Sequence, residues 1–180
     1  VNAALDAEKV YDGTNGIEGD VTASKTVPGS VTTADADIPS VEASAIYADV
    51  GASDSQIINL TYTITFSHAE MMDNYNLSAL TMNNGSVTKG TETTSGATLT
   101  VSATATGKIG RRPVTVTADN AGKVYGESDP DSFSYQVEDP TDTTGLVSGE
   151  QLTGALSRES GENVKDGDYA INAGTLTNGN

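Results

Sequence analysis

The stretch from Ile58 to Phe66 constrains this chain more than any other. Ile58, Leu60, Tyr62, Ile64 and Phe66 alternate without a break with Asn59, Thr61, Thr63 and Thr65. Successive side chains of a strand point to opposite faces, so this pattern predicts one strand with an apolar face and a hydroxyl-rich face. A helix would scatter the same apolar residues around its axis. Further strands are predicted at Thr98–Ala103 (Leu99, Val101 and Ala103 inward), Val114–Ala118 and Phe133–Val137. Weaker ones are predicted at 21–27, 41–47, 155–158 and 169–172. Thr and Val suit a pleated, half-buried surface, and Gly, Asn and Asp supply turns. Helical signals are confined to two single turns. One runs from the cap candidate Ser67 through Glu70 to Asp73; the other spans 148–152.

The expected fold is all-β, as two tandem sandwich-like (Ig-like) modules; a β-grasp arrangement, a curled sheet over one short helix, is the alternative for either. A boundary is expected near Arg112. Gly107 and Gly110 loosen the segment before it, and Pro113 forces Arg112 toward extended geometry. The resulting domains are 1–112 and 113–180. An internal echo accords with this: Lys9-Val10-Tyr11-Asp12-Gly13 recurs in part as Lys123-Val124-Tyr125-Gly126.

Charge and composition exclude several functions. The 25 acidic and 9 basic residues leave a formal net charge of −16. Phosphate binding needs surplus Lys and Arg, so nucleic acid is not an expected partner, and anionic lipid is disfavoured for the same reason. The chain has no cysteine, which removes disulfides, thiol nucleophiles and zinc thiolates. No apolar run approaches the length of a membrane span, so no membrane insertion is expected within this stretch. The start at Val1, without Met, reads as an excised or processed piece.

Candidate chemistry is thin. His68 is the only histidine and sits near Glu70 and Asp73, but spacing supplies no convergent partners, and a surface turn is expected. Acidic clusters at Asp35/Asp37, Glu127/Asp129/Asp131 and Glu138/Asp139/Asp142 offer oxygen ligands, yet none has EF-hand spacing, so solvated loops are expected. An intramolecular isopeptide bond at Lys9 or Lys123 has no support beyond residue type. Asn59-Leu60-Thr61, Asn76-Leu77-Ser78 and Asn84-Gly85-Ser86 fit the glycosylation acceptor pattern. They read as chance matches. Arg111-Arg112 reads as a solvated hinge pair rather than an interaction patch. No residue is assigned a catalytic, cofactor-binding or metal-binding role, and no cofactor is expected.

Two segments resemble bacterial surface modules. Lys9-Val10-Tyr11-Asp12-Gly13-Thr14 and Asp73-Asn74-Tyr75-Asn76-Leu77 are similar to a YDG domain. From Val114-Thr115-Val116-Thr117-Ala118-Asp119 onward the chain resembles an MBG-type repeat. The matching pieces are Lys123-Val124-Tyr125-Gly126, Asp129-Pro130, Gly145–Glu150, Leu152–Glu159, Gly161–Val164, Gly167–Ile171 and Gly174–Leu176. The resemblance implies an extracellular, non-catalytic stalk or adhesin segment whose partners are adjacent repeats. It also implies that the second module lacks edge strands after Asn180. The alternative is a module that itself binds host glycan or protein. Tyr residues facing inward would favour the spacer; an exposed aromatic platform would favour the binder.

Overall fold

The structure is a computed structural model describing residues 1–25, 39–74, 77, 79–83, 85–164 and 167–178. The chain is all-β and divides into two compact units, Val1–Arg111 and Arg112–Asn180.

The first unit is built on two long strands. The alternating segment lies in β5 (Ser53–Thr65), counting after β1 (Asn2–Ala4), β2 (Glu8–Val10), β3 (Thr22–Ser24) and β4 (Ser40–Tyr47). After β6 (Thr81–Met82) and β7 (Thr88–Ser95) comes β8 (Thr98–Gly110). β5 and β8 pair antiparallel from Thr65/Thr98 to Ser53/Ile109, with one irregularity between Ser53 and Gln56. β4 pairs along β5; β7 and β2 share the other side of β8, β2 running parallel. A smaller sheet orders β3-β1-β6.

Ile58, Leu60, Tyr62, Ile64 and Phe66 are all buried, as the alternation predicts, together with Val101, Ala103, Ala105 and Ile109 from β8. Ala3, Leu5 and Met82 are also buried around the small sheet. The Tyr62 hydroxyl donates to the Thr81 carbonyl at 2.8 Å, so the apolar face of the large sheet meets the small one. Burial gives Tyr62 its packing energy, and that single bond satisfies its polar end. On the opposite face Thr65 and Asn59 are exposed, while Thr61 and Thr63 are half-buried between neighbouring strands.

Gly107 and Gly110 do not loosen a linker; both lie inside β8. A Cβ at Gly107 would stand 2.6 Å from the Ala7 carbonyl oxygen, 2.5 Å from Ile58 Cδ1 and 3.0 Å from Tyr47. Glycine is required there because backbone and core approach the strand from one side. β7 was not foreseen. All its residues are exposed and it has no apolar alternation, so only its pairing with β8 reveals it. β1, β2 and β6 also escaped prediction: they are two or three residues long and paired to distant segments.

The second unit has β9 (Val116–Ala118) paired with β10 (Tyr135–Val137), and β11 (Ser157–Arg158) paired with β12 (Ile171–Asn172). The last pair extends into an irregular hairpin. Glu159 donates to Ala170 at 2.8 Å, Thr175 to Ala155 at 2.9 Å, and Thr153 to Thr177 at 2.7 Å. Val114, Val116, Ala118, Phe133, Tyr135 and Val137 are each half-buried beside exposed neighbours, so the alternation holds. Among the described residues, every buried hydrophobic side chain belongs to the first unit. The turn expected at Ser67–Asp73 forms as a 3₁₀ helix over Ala69–Asn74, and 148–152 makes a simple turn closed by Glu150 donating to Val147. The candidate strand at 21–27 is seen as β3; residues 26 and 27 lie outside the described residues.

Two substitutions and one control test this packing. Ile64→Ala should cost about 2–5 kcal/mol in chemical unfolding, the usual range for a buried large-to-small change. Gly107→Ala should destabilise the first unit by about 1–3 kcal/mol, the range for overpacking. Gly51→Ala, where an added Cβ meets nothing within 4 Å, should leave the unfolding midpoint almost unchanged.

Candidate functional site

Both lysines of the internal echo are ion-paired, in different settings. Lys9 is on β2 with its side chain only 2% exposed. Its ammonium donates to Asp12 Oδ1 at 2.7 Å, to the Thr14 carbonyl at 2.9 Å and to Thr14 Oγ1 at 3.1 Å. Asp12 Oδ1 also accepts from the Thr14 amide and hydroxyl, both at 2.9 Å. All three ammonium donors are therefore used, and Tyr47 lies 5.8 Å below the charge. Burial alone would raise the Asp12 pKa. The Lys9 hydrogen bond and the two from Thr14 outweigh it, and the carboxyl is held below its ordinary value.

Lys123 sits in the second unit, in a loop closed by Glu127 donating to Val124 at 3.1 Å. Gly126, at φ 91°, permits that turn because a side chain is strained in this region. Lys123 Nζ reaches Asp129 at 2.8 Å and Glu162 at 2.5 Å. Arg158 closes a four-member ring of alternating charge. It donates to Asp129 Oδ2 through Nε at 3.1 Å and Nη2 at 3.0 Å, and to Glu162 Oε1 at 2.7 Å. Its other arm donates to the carbonyls of Glu159 and Gly161. The Tyr169 ring covers the guanidinium at 4.9 Å, and its hydroxyl donates to Asn163 at 2.7 Å. Hydrogen bonds to Lys123 and Arg158 hold Asp129 and Glu162 below their ordinary pKa values, and the same bonds raise Lys123 and Arg158.

This ring lines an open groove of about 680 Å³ together with Tyr125, Phe133 and Ile171. Tyr125 is 70% exposed, whereas its counterpart Tyr11 is 8% exposed. The echo thus preserves a lysine–acid pair but not a packed tyrosine. Tyr47 and Tyr62 also point inward, Tyr135 and Tyr169 are half-buried, and Tyr75 lies outside the described residues.

The remaining candidates are placed as follows. His68 is exposed, with Nδ1 3.3 Å from Ser67 Oγ, and it lines neither the Tyr125 groove nor a smaller one between Leu5 and Lys108. Asp129 leaves its predicted acidic cluster to join the cation ring, and Glu138 accepts from the Thr115 amide at 2.8 Å. Asp35, Asp37, Asn76, Ser78 and Asn84 fall outside the described residues. Among the described residues no three His, Asp or Glu side chains converge on a point that would hold a metal ion. The Arg112 side chain is not left to solvent. It donates to the carbonyls of Gly145 at 2.7 Å, Thr144 at 2.9 Å and Asp142 at 3.0 Å, and also to Thr141. Its planar fork gathers carbonyls from one loop, a task a lysine's single point charge performs less well. Sequence reading missed both arginine assemblies because Arg112 binds backbone oxygens about 30 residues away, and Arg158 ties the nearby Glu162 to Asp129, 29 residues before it.

Residues 114–180 match the family model of the MBG domain (YGX type). MBG domains are repeat domains found in bacterial surface proteins. No curated protein and no solved structure matches the chain.

Removing Asp12 leaves a nearly inaccessible ammonium with fewer acceptors, so Asp12→Ala should destabilise the first unit by about 1–3 kcal/mol in urea unfolding. The charge ring has a defined pH window. Lowered carboxyl pKa values contribute stability that is complete above the unfolded value of about 4 and lost as pH falls through the folded values. Raised Lys123 contributes below about pH 10.4 and fades as pH rises through its folded value. Tyr169 ring chemical shifts should therefore be constant at neutral pH and move on acidification below about pH 4; Glu162→Gln should weaken that acid response.

Proposed function

We propose that this chain is a non-catalytic spacer segment of a bacterial cell-surface or secreted, adhesin-like protein, with a YDG-like module over residues 1–112 followed by the MBG module. The observation that carries this reading is the inward use of chemistry in the first unit. Tyr11, Tyr47 and Tyr62 are buried, and the Lys9 ammonium is fully engaged within its own turn. Such groups stabilise a fold and present nothing to a substrate. The MBG match supports an extracellular setting with neighbouring repeats as partners. The charge of −16 keeps adjacent stalks soluble and mutually repelling.

A second reading has its own support. Tyr125 and the charged groove beside it offer an aromatic surface next to hydrogen-bonding groups, the combination by which proteins hold sugars or peptide side chains. A panel of host glycans and extracellular host proteins separates the two. The spacer reading expects no saturable binding. Saturable binding abolished by Tyr125→Ala would replace it with the binding-module reading. Turnover in a hydrolase or transferase substrate panel would overturn both.

A further inference from the structure

The outer face of the large sheet carries a hydroxyl-rich grid, interrupted by Glu42, Ile46 and Asn59 and by the β7 irregularity. Pairing registers place Ser40, Thr65, Thr98 and Ser95 in one row across four strands. The next row is Glu42, Thr63, Thr100 and Thr93. A third joins Ser44, Thr61 and Ser102, where Thr91 Oγ1 lies 2.9 Å from Ser102 Oγ through the β7 irregularity. A fourth holds Ile46, Asn59, Thr104 and Thr88. Neighbouring strands stand about 4.8 Å apart and alternate residues about 6.8 Å apart along a strand, so the hydroxyls form a near-rectangular grid. Threonine's preference for strands accounts for part of this enrichment, but it does not require the hydroxyls to fall in matched rows. Charge is also sparse on these rows: a chain with 25 acidic and 9 basic residues places only Glu42 among them.

We propose that this face binds ordered water, with the surface of an ice crystal as its ligand. The two grid spacings lie close to the oxygen repeats on the prism faces of hexagonal ice. Each threonine offers a hydroxyl that both donates and accepts, beside a methyl that orders the adjacent water. Threonine is stiff at χ1, so these groups are held in register before contact. An uncharged lattice matches an almost uncharged face, whereas ammonium and carboxylate groups would impose hydration shells of their own. Sheet twist rotates successive strands by about 20–25°, so simultaneous contact centres on the β5–β8 ladder and the hydroxyls flanking it. This inference does not rest on the spacer reading; a spacer and a binding module are equally able to carry such a face.

The test uses the whole chain. Thermal hysteresis and inhibition of ice recrystallisation are measured against an inert globular protein at equal concentration. Thr104 and Thr143 are both exposed, the first on the grid and the second in the other unit. Wild type and Thr143→Tyr should show both activities. Thr104→Tyr and Thr63→Tyr, each placing a bulky ring on the grid, should lose them while circular dichroism and melting remain those of a folded protein. Because Thr104 is exposed, its variant remains informative if Thr63→Tyr fails to fold. Wild type that behaves as the inert protein overturns the proposal, as does full activity retained in folded Thr104→Tyr.

Discussion

The pairing of β5 with β8 is the constraint on which the first unit depends. It is a long antiparallel ladder whose two strands present apolar side chains to the same face: Ile58 opposite Ala105, Leu60 opposite Ala103, and Tyr62 opposite Val101. Large residues on one strand face small or branched ones on the other, which lets the face pack closely against the small sheet. A slip of one residue would exchange this face for the threonine face, so register and burial enforce each other. β4, β7 and β2 are laid down on that ladder, and short β2 can pair because Gly107 lets the Ala7 backbone approach.

The second unit is held differently. Its apolar strand residues are half-buried, so less of its stability comes from removing surface from water. Two arginines organise its loops instead. Arg112 draws four carbonyls of the 141–145 segment around one guanidinium, and Arg158 joins Asp129, Glu162 and the Tyr169 ring. Such polar assemblies fix geometry more than they add net stability, since exposed ion pairs contribute little and are screened by salt. The same geometry holds the loops around Tyr125 in place and leaves a groove open beside it. The two units thus differ in what they offer: one an extended hydroxyl face, the other a shaped recess.

Particular elements show how far residues alone could be read. The alternation from Ile58 to Phe66 forecast its buried and wet faces, and Phe133–Val137 did the same in the second unit. Short-range patterning is a property of adjacent residues, and a strand expresses it directly. β7 has no such pattern and was invisible until its partner was known. Gly107 read as flexibility but serves close packing. Arg112 read as a solvated hinge but gathers carbonyls from about 30 residues away, because a loop's path is not written in the residue that binds it.

The sequence by itself determined the all-β class, the faces of its principal strands, the exclusion of thiol and zinc-thiolate chemistry, and the acidity that disfavours nucleic acid. These follow from composition and from period two. Only the tertiary structure decided that Lys9 is buried and its ammonium fully engaged, that Tyr11 is buried while Tyr125 is exposed, and that hydroxyls from four strands stand in rows. Each of those depends on which distant segments meet. That choice is made by the burial of whole faces and the satisfaction of backbone groups together, and neither is a property of any single stretch of chain.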